Sequence, residues 1–146
     1  MSSAAITNSL SKEEQERLRE LARNAAENSY SPYSHFRVGA ALLLTDGSIV
    51  TGCNVENCSY RLTSCAEQAA IARAVSERGP AVRLRAVAVA NLNNAASMPC
   101  GACRQTLSEF GDDDALILYP GENGDESTTL GALLPHAFRM QFLAQK

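Results

Sequence analysis

Leu84 to Ala90 is a short apolar run with polar flanks, the pattern of a central strand covered on both faces. A chain built around such a strand must place helices on both sides of a sheet. The rest of the sequence supplies them. Ser11-Lys12-Glu13-Glu14 reads as an N-cap with a glutamate three residues on, preceded by Leu10 and followed by Leu18, Leu21, Ala22 and Ala25, so a first helix should run to about Asn28. Pro32 stops any continuation, and Phe36 to Leu44 reads as a buried strand. Asp46-Gly47 marks a hairpin that turns Ile49 to Cys53 back antiparallel.

Asn54 to Thr63 reads as a polar loop, with Ser64 as N-cap of a helix across Cys65 to Glu77. A second polar loop, Asn91 to Met98, leads through Pro99 into a helix from Cys100 to about Phe110. Leu116 to Tyr119 makes another strand. Pro120 to Gly124 leaves no room for a crossover, so a last strand at Thr128-Thr129 must be antiparallel to its neighbour. The tail from Leu130 to Gln145 offers two short helical pieces around Pro135. The expected class is therefore α/β, a three-layer α-β-α arrangement with a mixed sheet of about five strands. Both polar loops that precede helices follow strand ends, where sites form in open α/β sheets.

With 146 residues, 45% of them apolar and 20% charged, the chain suits one domain. Residues 1–10 are expected to be a disordered N-terminal segment and 11–146 a single catalytic domain. The longest apolar run, Val38 to Leu44, is far below the ~20 residues of a membrane span. No membrane partner is expected. The opening MSSAAITNSLSKEEQ lacks the basic and apolar regions of a secretory signal, which sets a cytoplasmic expectation. Thirteen Lys and Arg against 16 Asp and Glu disfavour a nucleic-acid partner.

Five cysteines without an export signal point to thiols, metal ligands or a nucleophile before disulfides. Cys100-Gly101-Ala102-Cys103 sets two thiols one turn apart at a helix start. Taken alone, that spacing fits a redox pair, half of a metal site or two small core residues. Cys65, at another helix start after a strand and loop, lets two helix N-termini converge on one ion. Three protein ligands leave a fourth position for water, as in catalytic zinc sites. Glu67 can lie beside that position as a proton shuttle, or simply oppose the helix dipole.

Cys65-Ala66-Glu67 with Pro99-Cys100-Gly101-Ala102-Cys103-Arg104-Gln105 resembles the zinc site of cytidine deaminases, a superfamily whose general mechanism is well established. The similarity extends to Ser31-Pro32-Tyr33-Ser34, Phe36 to Ala41, Asn54-Val55-Glu56-Asn57 and Leu133-Leu134-Pro135. It implies a cytidine deaminase-like fold with one Zn²⁺ per chain on Cys65, Cys100 and Cys103. Zinc-bound hydroxide would attack C4 of cytidine or deoxycytidine, with Glu67 shuttling protons. It further implies that the Ala66 N–H binds the base, that Asn54 and Glu56 hold the ribose, and that Phe36 flanks the pyrimidine. Tyr33 and Tyr60 would stand near the substrate. Phe138 would reach a neighbouring chain's site in a homotetramer, and the pathway implied is pyrimidine salvage.

From pattern alone, Phe36 reads as core, Asn54 and Glu56 as loop polars, and Phe138 as an anchor of the tail. Cys53 and Cys58 read as small buried residues. Arg104 fits a partner of a carboxylate or thiolate as well as a solvated side chain. Gln68 departs from the arginine common after the family's glutamate, leaving three thiolates less compensated. A deaminase of a nucleoside antibiotic is the alternative within the superfamily. Outside it stand a closed structural zinc module, which would need a fourth protein ligand, and a thiol oxidoreductase.

Overall fold

In the computed structural model, which describes residues 9–140, helix α1 spans Lys12–Ala26 and opens on the expected reciprocal cap: Ser11 Oγ accepts from the Glu14 N–H and Glu14 Oε1 accepts from the Ser11 N–H, both at 3.1 Å. The helix ends two residues earlier than its sequence suggests. Residues 1–8 of the expected N-terminal segment lie outside the described residues, while Leu10 is buried beside Leu18.

Strand β1 is Val38–Leu44 and β2 is Ile49–Cys53, joined through Gly47 at φ 89°, a left-handed value that glycine adopts freely. A single 3-10 turn at Tyr60–Leu62 interrupts the loop before α2, Ala66–Arg78. Strand β3, Leu84–Asn91, precedes α3, Gly101–Phe110; β4 is Gly111–Gly121, β5 is Gly124–Thr129, and α4 is the short Leu130–Leu133.

Several further boundaries differ from the sequence reading, among them β4, which spans Gly111–Gly121 rather than Leu116–Tyr119. The N-cap of α2 is Cys65 rather than Ser64, and α3 has Cys100 as its N-cap, not its first helical residue. Strand β1 begins at Val38 rather than Phe36. The last strand covers six residues instead of two, pairing from Leu116↔Thr129 to Gly121↔Gly124. Its sequence, Gly-Asp-Glu-Ser-Thr-Thr, is mostly exposed on the sheet edge, so no apolar alternation announces it. After Pro135, no second helical piece forms through Met140, and residues 141–146 lie outside the described part.

The strand order is β2-β1-β3-β4-β5. Only β3 and β4 are parallel; the other neighbours, β5 included, are antiparallel. The central strands are apolar on both faces. Ala40, Leu42, Val87, Val89 and Ile117 meet α2, α3 and α4, whereas Ala41, Leu43, Ala86, Ala88 and Leu118 meet α1. This is the three-layer arrangement the central run required.

Two glycines set how closely the layers approach. A Cβ at Gly39 would run into the Ala22 carbonyl of α1, and one at Gly52 would lie 2.5 Å from Ala70 N and 2.9 Å from Ala66 O of α2. Since β1 is antiparallel to both neighbours, β2, β3 and β4 run the same way and end on one edge. Helices α2 and α3 start from that edge.

Candidate active site and metal centre

The three cysteines singled out by their spacing come together. The Sγ atoms of Cys65, Cys100 and Cys103 all lie within 4.8 Å of one another, with Cys65 and Cys100 4.0 Å apart. Cys65 and Cys100 cap α2 and α3, and Cys103 sits one turn into α3, so two helix N-termini face the cluster and favour thiolates. A hydrogen bond from Cys103 brings the Cys65 pKa down to about 6. The same bond, together with burial, pushes the Cys103 thiol up. Three sulfur donors this close match a tetrahedral zinc site with one position left for water. The donor set fits the metal.

Glu67, in the first turn of α2, is 5% exposed and faces the same cavity. Burial raises its pKa above the ordinary glutamate value. Helix-dipole compensation alone needs no buried carboxyl aimed at a cavity. The cavity, about 190 Å³, is walled by Phe36, Val38, Val89 and Met98 and also lined by Asn54, Thr63, Ala66 and Ser97. Ala66 is the first helical residue of α2, so its N–H has no helical acceptor.

Next to it, sharing Thr63, a second cavity of about 290 Å³ is lined by Tyr33, Ser34, Glu56 and Tyr60. Glu56 Oε1 accepts from the N–H groups of Tyr33 at 3.0 Å and Ser34 at 3.2 Å, and Oε2 accepts from the Ser34 hydroxyl. These bonds, that from the Ser34 side chain foremost, hold the Glu56 carboxyl below its ordinary pKa. The Tyr33 and Tyr60 rings meet edge to face with centroids 5.9 Å apart. The loop carrying these groups is fixed by strand-like bridges from Val55 to Tyr30 and to Ser64.

Asn54 is buried, and its role as a loop polar is corrected by its bonds. Nδ2 donates to Phe36 O at 2.8 Å, while Oδ1 accepts from the Val38 N–H at 3.0 Å and from the Ser29 hydroxyl. One Nδ2 hydrogen is left for a ligand. Phe138, by contrast, lines neither cavity; it is 69% exposed, with its carbonyl accepting from Gln105 Nε2 at 3.0 Å. It does not act as a core anchor.

Among the described residues Arg104 pairs with neither a carboxylate nor a thiolate. Its guanidinium donates to Pro99 O at 2.8 Å and Leu133 O at 3.0 Å, tying the residue before Cys100 to the end of α4. Cys58 is exposed and Cys53 half-buried, correcting the expectation that both are buried. Neither joins the metal cluster. Thr63, Ser97 and Val89 are cavity residues with no signature in spacing; only the fold brings them there. No helix among the described residues is long and apolar enough to cross a membrane.

The sequence model of the cytidine and deoxycytidylate deaminase zinc-binding region matches residues 12–119. A cytidine deaminase of Mycobacterium tuberculosis is 46% identical over 129 residues, covering 88% of this chain and 92% of the relative. A probable cytidine deaminase of Dictyostelium discoideum is 43% identical over 137 residues, covering 94% and 92%. Among solved structures, the cytidine deaminase of Burkholderia pseudomallei superposes with a TM-score of 0.75 at 40% identity, covering 84% of this chain and 98% of that one.

Proposed function

The chain belongs to the cytidine and deoxycytidylate deaminase family, a family of zinc-dependent hydrolases, and from that premise we propose that it converts cytidine and 2′-deoxycytidine to uridine and 2′-deoxyuridine with release of ammonia. The observation that carries this reading is the convergence of three thiols, a buried carboxyl and an aromatic wall on one cavity. Cys65, Cys100 and Cys103 would hold one Zn²⁺ per chain, which when bound supplies a Lewis acid that makes water acidic near neutral pH.

Glu67 would carry two protons in turn, the first from the attacking water to N3 of the base, where it stays in the product, and the second from the new C4 hydroxyl to the departing amine. Its raised pKa suits a carboxyl that must hold each proton between pick-up and delivery. The Ala66 N–H donates to the base O2, and Phe36 flanks the ring. The 3′-hydroxyl of the sugar accepts from the remaining Nδ2 hydrogen of Asn54 and donates to Glu56, so both halves of a neutral hydroxyl are satisfied. Tyr33 and Tyr60 border the sugar side.

Phe138, exposed and away from the cavities of its own chain, completes the site of a neighbouring copy in a homotetramer. Tyr30, Tyr33, Val55, Tyr60 and Leu62 are exposed large apolar residues that suit burial between copies. In this reading the enzyme serves pyrimidine salvage in the cytoplasm.

The test is the ultraviolet absorbance of cytidine and deoxycytidine incubated with zinc-assayed protein beside Glu67→Ala. Conversion by the parent and a loss of at least ~10²-fold in the variant, with zinc retained, supports the reading. Zinc bound with neither nucleoside converted overturns it.

A further inference from the structure

Phe36 forms an apolar wall of the base cavity, and its backbone is gripped from both sides. Asn54 takes Phe36 O and the Val38 N–H. The flanking pair belongs to Asn93: its Oδ1 accepts from the Arg37 N–H at 3.0 Å and its Nδ2 donates to His35 O at 2.9 Å. Two carboxamides therefore occupy four backbone groups along residues 35–38. His35 has φ 59°, a left-handed value that costs a non-glycine residue energy and persists when neighbouring bonds hold it.

Asn93 is itself held in place. Asn91 Oδ1 accepts from its N–H at 3.0 Å, while Asn91 Nδ2 donates to Ala95 O at 2.8 Å and Ser97 Oγ at 3.2 Å. Ser97 lines the base cavity on the side that leads to Cys100. The 91–97 loop thus presents Ser97 to the cavity and, through Asn93, sets the wall bearing Phe36. Asn93 lines neither cavity, so any influence on the reaction must pass through the residues it holds.

We propose that Asn93 is a positioning residue that sets Phe36 against the pyrimidine and so governs affinity for the nucleoside. This rests on the reading in which Phe36 flanks the base. The experiment compares the zinc-loaded parent, Asn93→Ala, Phe36→Ala and the double variant by KM and kcat for cytidine, Kd for uridine, and zinc content. Asn93→Ala is expected to raise KM and the uridine Kd by ~3- to 10-fold, the range of one or two hydrogen bonds, while kcat changes less than about twofold and zinc is unchanged. In the Phe36→Ala background the same change should add nothing, because the side chain it positions is gone.

An unchanged KM in Asn93→Ala overturns the inference, as does an effect that multiplies in full with Phe36→Ala, or a loss of zinc that would make Asn93 a general support of the loop. If Phe36→Ala itself leaves KM and Kd untouched, the placement of Phe36 on the base falls, and the inference falls with it. If Phe36→Ala raises KM and Asn93→Ala does not, the inference alone falls.

Discussion

Cys65 and Cys100 occupy the same local position, each the N-cap of a helix that follows a strand of one sheet, and their sulfurs stand 4.0 Å apart. Replacing Cys65, Cys100 or Cys103 by Ala should take the chain from about one zinc to nearly none, because two remaining thiols do not retain a three-ligand ion. Cys53→Ala and Cys58→Ala should keep the full complement. Metal analysis of gel-filtered protein distinguishes the two groups. The parent should also melt at a lower temperature after chelation, by the binding energy it loses.

The carboxyl of Glu56 gives a pH prediction with a definite sign. Its pKa lies below the ordinary 4.5, held there by the Ser34 hydroxyl and by the N–H groups of Ser34 and Tyr33. The stabilising bonds are complete above the unfolded pKa and are lost as pH falls through the depressed folded value. KM for cytidine should therefore stay flat down to the ordinary glutamate range and rise below it. In Ser34→Ala that rise should begin at higher pH, which KM measured across the acid limb would show.

Gly52 links packing to chemistry. A methyl there meets backbone atoms of Ala66 and Ala70, which cannot swing aside as a side chain could. Gly52→Ala should cost about 1–3 kcal/mol and push α2 outward, carrying Cys65 and Glu67 with it. Chemical denaturation should report the lower stability, and chelator competition a faster loss of zinc than in the parent. Gly79→Ala is the control. It has open space but a φ of 90°, so it should lose stability without losing metal faster.

Phe138 tests the assembly. Phe138→Ala should raise KM for cytidine several-fold while zinc content and the size of the assembly stay the same. Specific activity of the parent should fall on dilution wherever light scattering shows the complex dissociating. A dissociated chain with full activity would place the whole site within one copy.

The central strands and their two-sided burial were legible because Leu84 to Ala90 alternates between two apolar layers, and the three-thiol cluster was legible because Cys65 adds a third thiol at a helix start to the pair Cys100 and Cys103, in a sequence that resembles the zinc-binding motif of the family. Strand β5 was not, because an exposed edge strand is held by backbone pairing to Leu116–Gly121, which leaves no mark on Gly-Asp-Glu-Ser-Thr-Thr. Asn54 and Asn93 were opaque for a related reason. Their partners are backbone groups far off in sequence, and an asparagine that grips a distant backbone looks like any other loop asparagine until the fold brings the two together. The N-cap of α2 slipped by one residue because both backbone groups of Ser64 pair with Val55, so the better capping side chain stays outside the helix and Cys65 starts it without a side-chain cap bond.

Strand β1 lies between β2 and β3, and the cysteine that follows each of those two strands faces the other across 35 residues of chain. The three sulfurs lie together only when β2, β1 and β3 are paired. Zinc capture would therefore depend on that pairing: a molecule whose β3 has slipped on β1 withdraws Cys100 and Cys103 from Cys65 and has nothing with which to grip a metal.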